Sequence, residues 1–86
     1  MRVSYDKAAD VLYVTTRPGV PARSDEGAEP GVIWRYEISS GELIGATILD
    51  FAHYWSGDRF SDLADALADK FHLSKSDARE ALANIH

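Results

Sequence analysis

The stretch GVIWRYEISSGELIGATILD, residues 31–50, decides the fold. Its first half alternates: Val32, Trp34, Tyr36 and Ile38 point one way, and Ile33, Arg35 and Glu37 the other, the period-two signature of a strand. A three-residue loop, Ser39 to Gly41 with Gly41 left-handed, closes a hairpin onto ELIGATILD. That register sets Tyr36 opposite Ile44, Trp34 opposite Ala46 and Val32 opposite Ile48, so that small Ala46 leaves room for the indole. A four-residue loop would set Trp34 opposite Thr47 and send Ile44 and Ile48 to the other face. The three-residue register is preferred because it keeps the apolar set on one side.

Working outward toward the N-terminus, RVSY (2–5) and VLYVTT (11–16) carry the β-branched and aromatic residues that suit a pleated surface, with polar DKAAD between them. Residues 17–31 hold three prolines and three glycines. They read as a loop with a short edge strand, because proline cannot donate to a central ladder. If Leu12, Val14, Ile33, Leu43 and Leu49 share the second face of the sheet, that face is apolar too, and a partner is expected to cover it.

Toward the C-terminus the period changes. FAHYWSGDRF (51–60) is a packing hinge, with Phe51 and Phe60 joining sheet to helix and Gly57 reversing the chain. Beyond it Phe60, Leu63, Ala64, Leu67, Ala68 and Phe71 form a helical stripe, with Asp58 as N-cap. Ser74 caps a second helix whose stripe is Ala78, Ala81, Leu82 and Ile85. The expected fold is α+β: an antiparallel sheet of about four strands followed by two C-terminal helices. The chain of 86 residues reads as one domain, residues 1–86, with a β-rich part (1–52) and a helical extension (53–86).

Composition bounds the chemistry. The absence of cysteine removes disulfides, thiolate zinc sites and thiol nucleophiles. A formal charge of −5 disfavours nucleic acid and suits a basic partner. No apolar run reaches the roughly 20 residues of a membrane span, and the charged N-terminus leads to an expectation of a cytoplasmic protein. Asp50, His53 and Asp58 are the candidate ligands of a metal-dependent or hydrolase-like enzyme, but their spacing matches no strong motif; the ordinary reading of His53 is a hydrogen-bonded boundary residue. Ser56 lacks a nucleophile elbow. Asp6 and Asp10 flank the first turn, where accepting backbone N–H bonds is the usual task of a carboxylate. Trp34, with Arg35 as its one basic neighbour and Glu37 offsetting that charge, reads as core rather than as a base-stacking platform.

The opening YDKAADVLYV followed by PGVIWRYEISSGELIGATILD resembles a family of small bacterial proteins catalogued as domain-of-unknown-function family 2283. The fitting positions are Tyr5, Asp6, Asp10, Leu12, Tyr13, Pro30, Gly31, Val32, Ile33, Gly41, Gly45, Ile48, Leu49 and Asp50; Thr47 stands where members often carry Glu. The resemblance covers roughly residues 1–52. Some members resemble antitoxin partners encoded beside small toxin-like proteins, which implies binding rather than catalysis. The expected role is therefore a non-enzymatic, antitoxin-like protein-interaction module without cofactor, forming a homodimer or binding a protein partner. Tyr54, Trp55, Ile33 and Leu43 are the candidate interface residues. A small enzyme is the alternative, and a nucleic-acid-binding regulator a further one.

Overall fold

In the computed structural model, which describes residues 1–84, the hairpin of residues 31–50 forms the centre of the sheet. Strands β4 (Val32–Glu37) and β5 (Leu43–Leu49) pair antiparallel, with Val32 opposite Ile48 and Trp34 opposite Ala46. The register then shifts: Arg35 faces Gly45, and Tyr36 faces Leu43 rather than Ile44. One extra residue on β5 is a bulge, and beyond it the faces exchange. Leu43, expected on the second face, packs against the main core, while Ile44 is 4% exposed outside the main cluster. Gly41 is left-handed as expected (φ +72°), but Ile38 belongs to the turn and is 66% exposed.

Gly45 stands next to the bulge, where β2 approaches β5 closely. A Cβ at this position would lie 2.7 Å from the carbonyl oxygen of Val14, on the strand alongside. Only glycine lets the two backbones approach this closely. Gly45→Ala is expected to cost about 1–3 kcal/mol through overpacking. Urea melts check this, and unchanged stability would mean that the strands part freely.

Strand β2 (Val11–Thr15) lies between β5 and β1 (Arg2–Asp6), and β3 (Ala22–Glu26) borders β4, giving one five-stranded antiparallel sheet in the order β1-β2-β5-β4-β3. The short edge strand expected in the proline-rich loop is thus β3, and the sheet has five strands rather than about four. Its mostly exposed residues include Arg23, Asp25 and Glu26, charges that discourage edge pairing. The β2–β5 register places Leu12 opposite Ile48 and Val14 opposite Ala46. Leu12 and Val14 therefore lie on the face of Trp34, not on the second face, because directly opposed residues share a face.

Helix α1 (Phe51–Tyr54) is a single turn; α2 (Asp58–Phe71) and α3 (Lys75–Ala83) are the two expected helices. Gly57 (φ +61°), not Asp58, is the N-cap of α2; Asp58 is the first helical residue, where its charge favours the helix dipole. The α2 stripe buries Leu63, Ala64, Leu67 and Ala68, and α3 adds Ala78 and Leu82. All six join Leu12, Val14, Val32, Trp34, Ala46, Ile48 and Trp55 in one core. Ser74 caps α3 by accepting the Asp77 N–H at 3.0 Å. Ile85, expected to extend the α3 stripe, and His86 lie outside the described residues. The described residues of the helical extension cover their own sheet, on the face of Trp34.

Candidate functional site

The β1–β2 turn is tied to the hinge by Asp10. This residue is left-handed (φ +56°), which turns its carboxylate toward α1. Oδ1 accepts the Tyr5 hydroxyl at 2.6 Å and the Ala52 N–H at 2.8 Å, Oδ2 accepts the His53 N–H at 3.1 Å, and the Asp10 carbonyl accepts the Phe51 N–H at 3.1 Å. Four donors from two distant segments thus converge on one residue. The Tyr5 ring meets Phe51 edge-on at 5.6 Å. Asp6 serves the turn itself, accepting the Ala9 N–H at 3.2 Å. The sequence pointed to backbone acceptors here, but not to α1 as the element that Asp10 ties down.

This clasp sets a pH window. The Tyr5 hydrogen bond, then the Ala52 N–H, hold the Asp10 carboxyl below its ordinary value of 3.8, against some desolvation. The same hydrogen bond, with desolvation and the negative charge of Asp10, raises the Tyr5 phenol above 10.0. A depressed carboxyl contributes stability that is present above the ordinary value and lost as pH falls through the folded one. A raised phenol contributes stability that is present below its ordinary value and lost as pH rises through the folded one. The clasp is therefore intact across neutral pH and fails at both extremes. Tyr5→Phe is expected to move the Asp10 titration upward, read by carboxyl NMR, and to remove this phenol's share of the alkaline loss. Identical Asp10 titration in both proteins would mean that the hydroxyl does not reach it.

Asp50, His53 and Asp58 do not form a ligand set: among the described residues, no three His, Cys, Asp or Glu side chains are grouped to hold a metal. His53 and Asp58 are exposed. In the hinge, Tyr54 is half-buried, with the Arg59 guanidinium 4.3 Å above its ring and Trp55 edge-on at 4.9 Å. Trp55, a candidate interface residue, is 4% exposed and belongs to the core of the single chain. Tyr54 packs against the rim of the same core, with the larger ring of Trp55 beneath it. Phe51 and Phe60 pack against the same core, as the hinge requires. Beside them lies an apolar groove of about 720 Å³, lined by Tyr5, Phe51, Trp55, Phe60 and Leu82, with Lys7 at hand.

Among the described residues, no helix lies across the second face of the sheet. Cross-strand partners arrange its side chains in three rows. Arg2, Thr15, Gly45, Arg35 and Ser24 form the first, Ser4, Tyr13, Thr47, Ile33 and Glu26 the second, and Asp6, Val11 and Leu49 the third. Tyr13 is 45% and Leu49 39% exposed, and Val11 and Ile33 beside them are half-buried. Of the candidate interface residues, Ile33 is thus on this open face, whereas Leu43 lies on the covered one. The open face is less apolar than expected, since Leu12, Val14 and Leu43 have left it, but its centre is still an aromatic and aliphatic patch.

The fold defines an α+β protein: a five-stranded antiparallel sheet with helices packed on one face. The family described as protein of unknown function (DUF2283) matches residues 2–51, and the chain belongs to it. The match holds all five strands and the Tyr5–Asp10 clasp and ends as α1 begins, leaving α2 and α3 outside. No curated protein and no solved structure matches the chain. Among the described residues, no helix is long and apolar enough to cross a membrane.

Proposed function

We propose that this chain is a non-enzymatic protein-interaction module that works through the open face of its sheet, in the antitoxin-like manner of binding a protein encoded beside it. The observation carrying this reading is the patch of Tyr13, Leu49, Val11 and Ile33, which no element among the described residues covers. Apolar and aromatic side chains in the middle of a polar surface are the composition of an interface centre. The clasp supports the same role from below, because it braces the end of β2 and so holds Val11 and Tyr13 in place. A charge of −5 suits a basic partner.

The test is co-expression with the product of the adjacent reading frame, with the complex weighed by light scattering. A stoichiometric complex is expected. Leu49→Glu should weaken it at least tenfold, an effect of about 1.4 kcal/mol or more, while leaving the circular dichroism spectrum unchanged. A complex indifferent to Leu49→Glu would move the interface elsewhere.

A further inference from the structure

We infer that the outer edge of β1 pairs with the same edge of a second copy, antiparallel and about Ser4, joining the two sheets into one. The inference does not rest on the open face, which this arrangement leaves free. Among the described residues, β1 has a strand neighbour on one side only, β2. The phase of the hydrogen bonds shows which of its backbone groups are left over. The Thr16 N–H donates to the Ile44 carbonyl of β5 at 2.9 Å. Bonding direction alternates along an antiparallel strand, so even-numbered residues of β2 bond β5, while Val11, Tyr13 and Thr15 bond β1. Their partners Asp6, Ser4 and Arg2 are thus satisfied, and Val3 and Tyr5 turn N–H and C=O to the outer edge.

A two-fold axis through Ser4 brings these groups together. Val3 faces Tyr5 of the second copy, and each N–H meets the other's C=O, twice by symmetry. The same register, the one of full overlap for this strand, sets Arg2 opposite Asp6 of the second copy at both ends. Both side chains lie on the open face and are exposed, and Arg2 has no ion pair among the described residues. Asp6 gives Oδ1 to the Ala9 N–H, which leaves Oδ2 for an incoming guanidinium. On the covered face the match is apolar. Val3 and Tyr5 are half-buried and pack against the core, and Tyr5 lines the groove beside Phe51 and Trp55. Pairing carries Val3 of the second copy to the rim of that groove. Charge and apolarity therefore agree on one occupant, a strand with the sequence of β1 itself.

The other edge, β3, is a poorer candidate. Its Arg23 would meet Asp25 of a copy, but that guanidinium is already held over the Tyr36 ring at 4.7 Å. All of β3 except Ala22 is exposed, so pairing there buries charge and no large apolar side chain. A pairing of 5 residues is narrower than a standard interface; main-chain hydrogen bonds rather than area supply its affinity, and it reverses on dilution.

Sedimentation of the full chain between about 1 µM and about 1 mM tests this directly. A monomer–dimer equilibrium is expected. Val3→Pro removes an outward N–H and no bond to β2, a change that an edge strand tolerates, and should weaken the dimer about tenfold or more. Arg2→Asp sets like charges opposite each other at both ends and should weaken it by a similar factor. Leu49→Glu, on the open face, should leave it unchanged. Circular dichroism confirms the fold of each variant; should Val3→Pro fail to fold, Arg2→Asp at its exposed position carries the test. A dimer unaffected by Val3→Pro overturns the edge, and one unaffected by Arg2→Asp overturns the register. A wild type that stays monomeric at the highest concentration overturns self-association. If Val3→Pro then weakens the complex with the neighbouring gene product, the edge takes a strand of that protein instead. Dependence of that complex on Leu49 tests the open face separately, so either reading can fail alone.

Discussion

Replacing Trp34 by alanine lowers the unfolding free energy by about 3–5 kcal/mol, the usual cost of truncating a large buried aromatic. A domain of this kind has about 5–15 kcal/mol in total, so the loss approaches the margin for folding. Trp34 is 1% exposed and is the largest fully buried side chain. It stands opposite Ala46, whose single methyl makes room for the indole, and its ring meets Phe71 of α2 at 6.3 Å with Lys70 at 5.5 Å. One side chain therefore joins sheet to helix, and removing it leaves a cavity that neither layer can fill alone. Two companion variants separate packing from polarity. The Trp34 Nε1 is buried without a hydrogen-bond partner among the described residues, so Trp34→Phe keeps the contact with Phe71, sheds an unsatisfied donor and costs less than alanine. Gly27 lies against the indole edge, and a Cβ there would come within 2.8 Å of Cδ1. Gly27→Ala should consequently destabilise by about 1–3 kcal/mol through the same ring. Denaturant melts at matched association state measure all three. A loss below about 1 kcal/mol for Trp34→Ala would mean that the ring is not a core residue in solution.

The central hairpin was legible because alternation and a turn glycine agree on one register, and Trp34–Ala46 and Val32–Ile48 pair as they require. The bulge was not legible. It sits beside Gly45, whose close approach to β2 is a long-range contact that no window of residues 31–50 contains. That single insertion moved Leu43 to the covered face and Ile44 to the other. Leu12 and Val14 were misplaced for a related reason: alternation says which residues share a face within a strand, but only the pairing of β2 with β5 says which face that is. The site followed the same pattern. Ile33 could be read as facing away from Trp34, whereas the burial of Trp55 depends on the direction in which a four-residue helix leaves the sheet. Asp10 showed its residue type and its turn, but its partners Ala52 and His53 lie more than 40 positions away.

A chain ending at Asp50 does not hold this fold: it unfolds or aggregates. The fragment retains all five strands and nearly the whole family match, so the strand pattern itself would favour stability. What it loses is the cover of one face. Leu12, Val14, Val32, Trp34, Ala46 and Ile48, each at most 1% exposed, would face water together once Trp55, Leu63, Leu67 and Leu82 are gone. Burying a single large apolar side chain is worth roughly 1.5–3 kcal/mol, so losing several at once exceeds the whole stability of a small domain. The clasp weakens as well, because the N–H donors of Phe51, Ala52 and His53 leave with the hinge and only Tyr5 still reaches Asp10. Leu67→Ala gives the graded version within the full chain, with an expected cost of about 2–5 kcal/mol. For the fragment, circular dichroism and light scattering are decisive: a disordered spectrum or large particles are expected, and a monodisperse, strand-rich fragment would show that the sheet does not need its helices. Supplying residues 51–86 as a separate peptide tests the cause. Recovery of the sheet spectrum on mixing ties the loss to the missing cover, whereas failure of the mixture to fold would assign it to the broken connection at the Asp10 clasp.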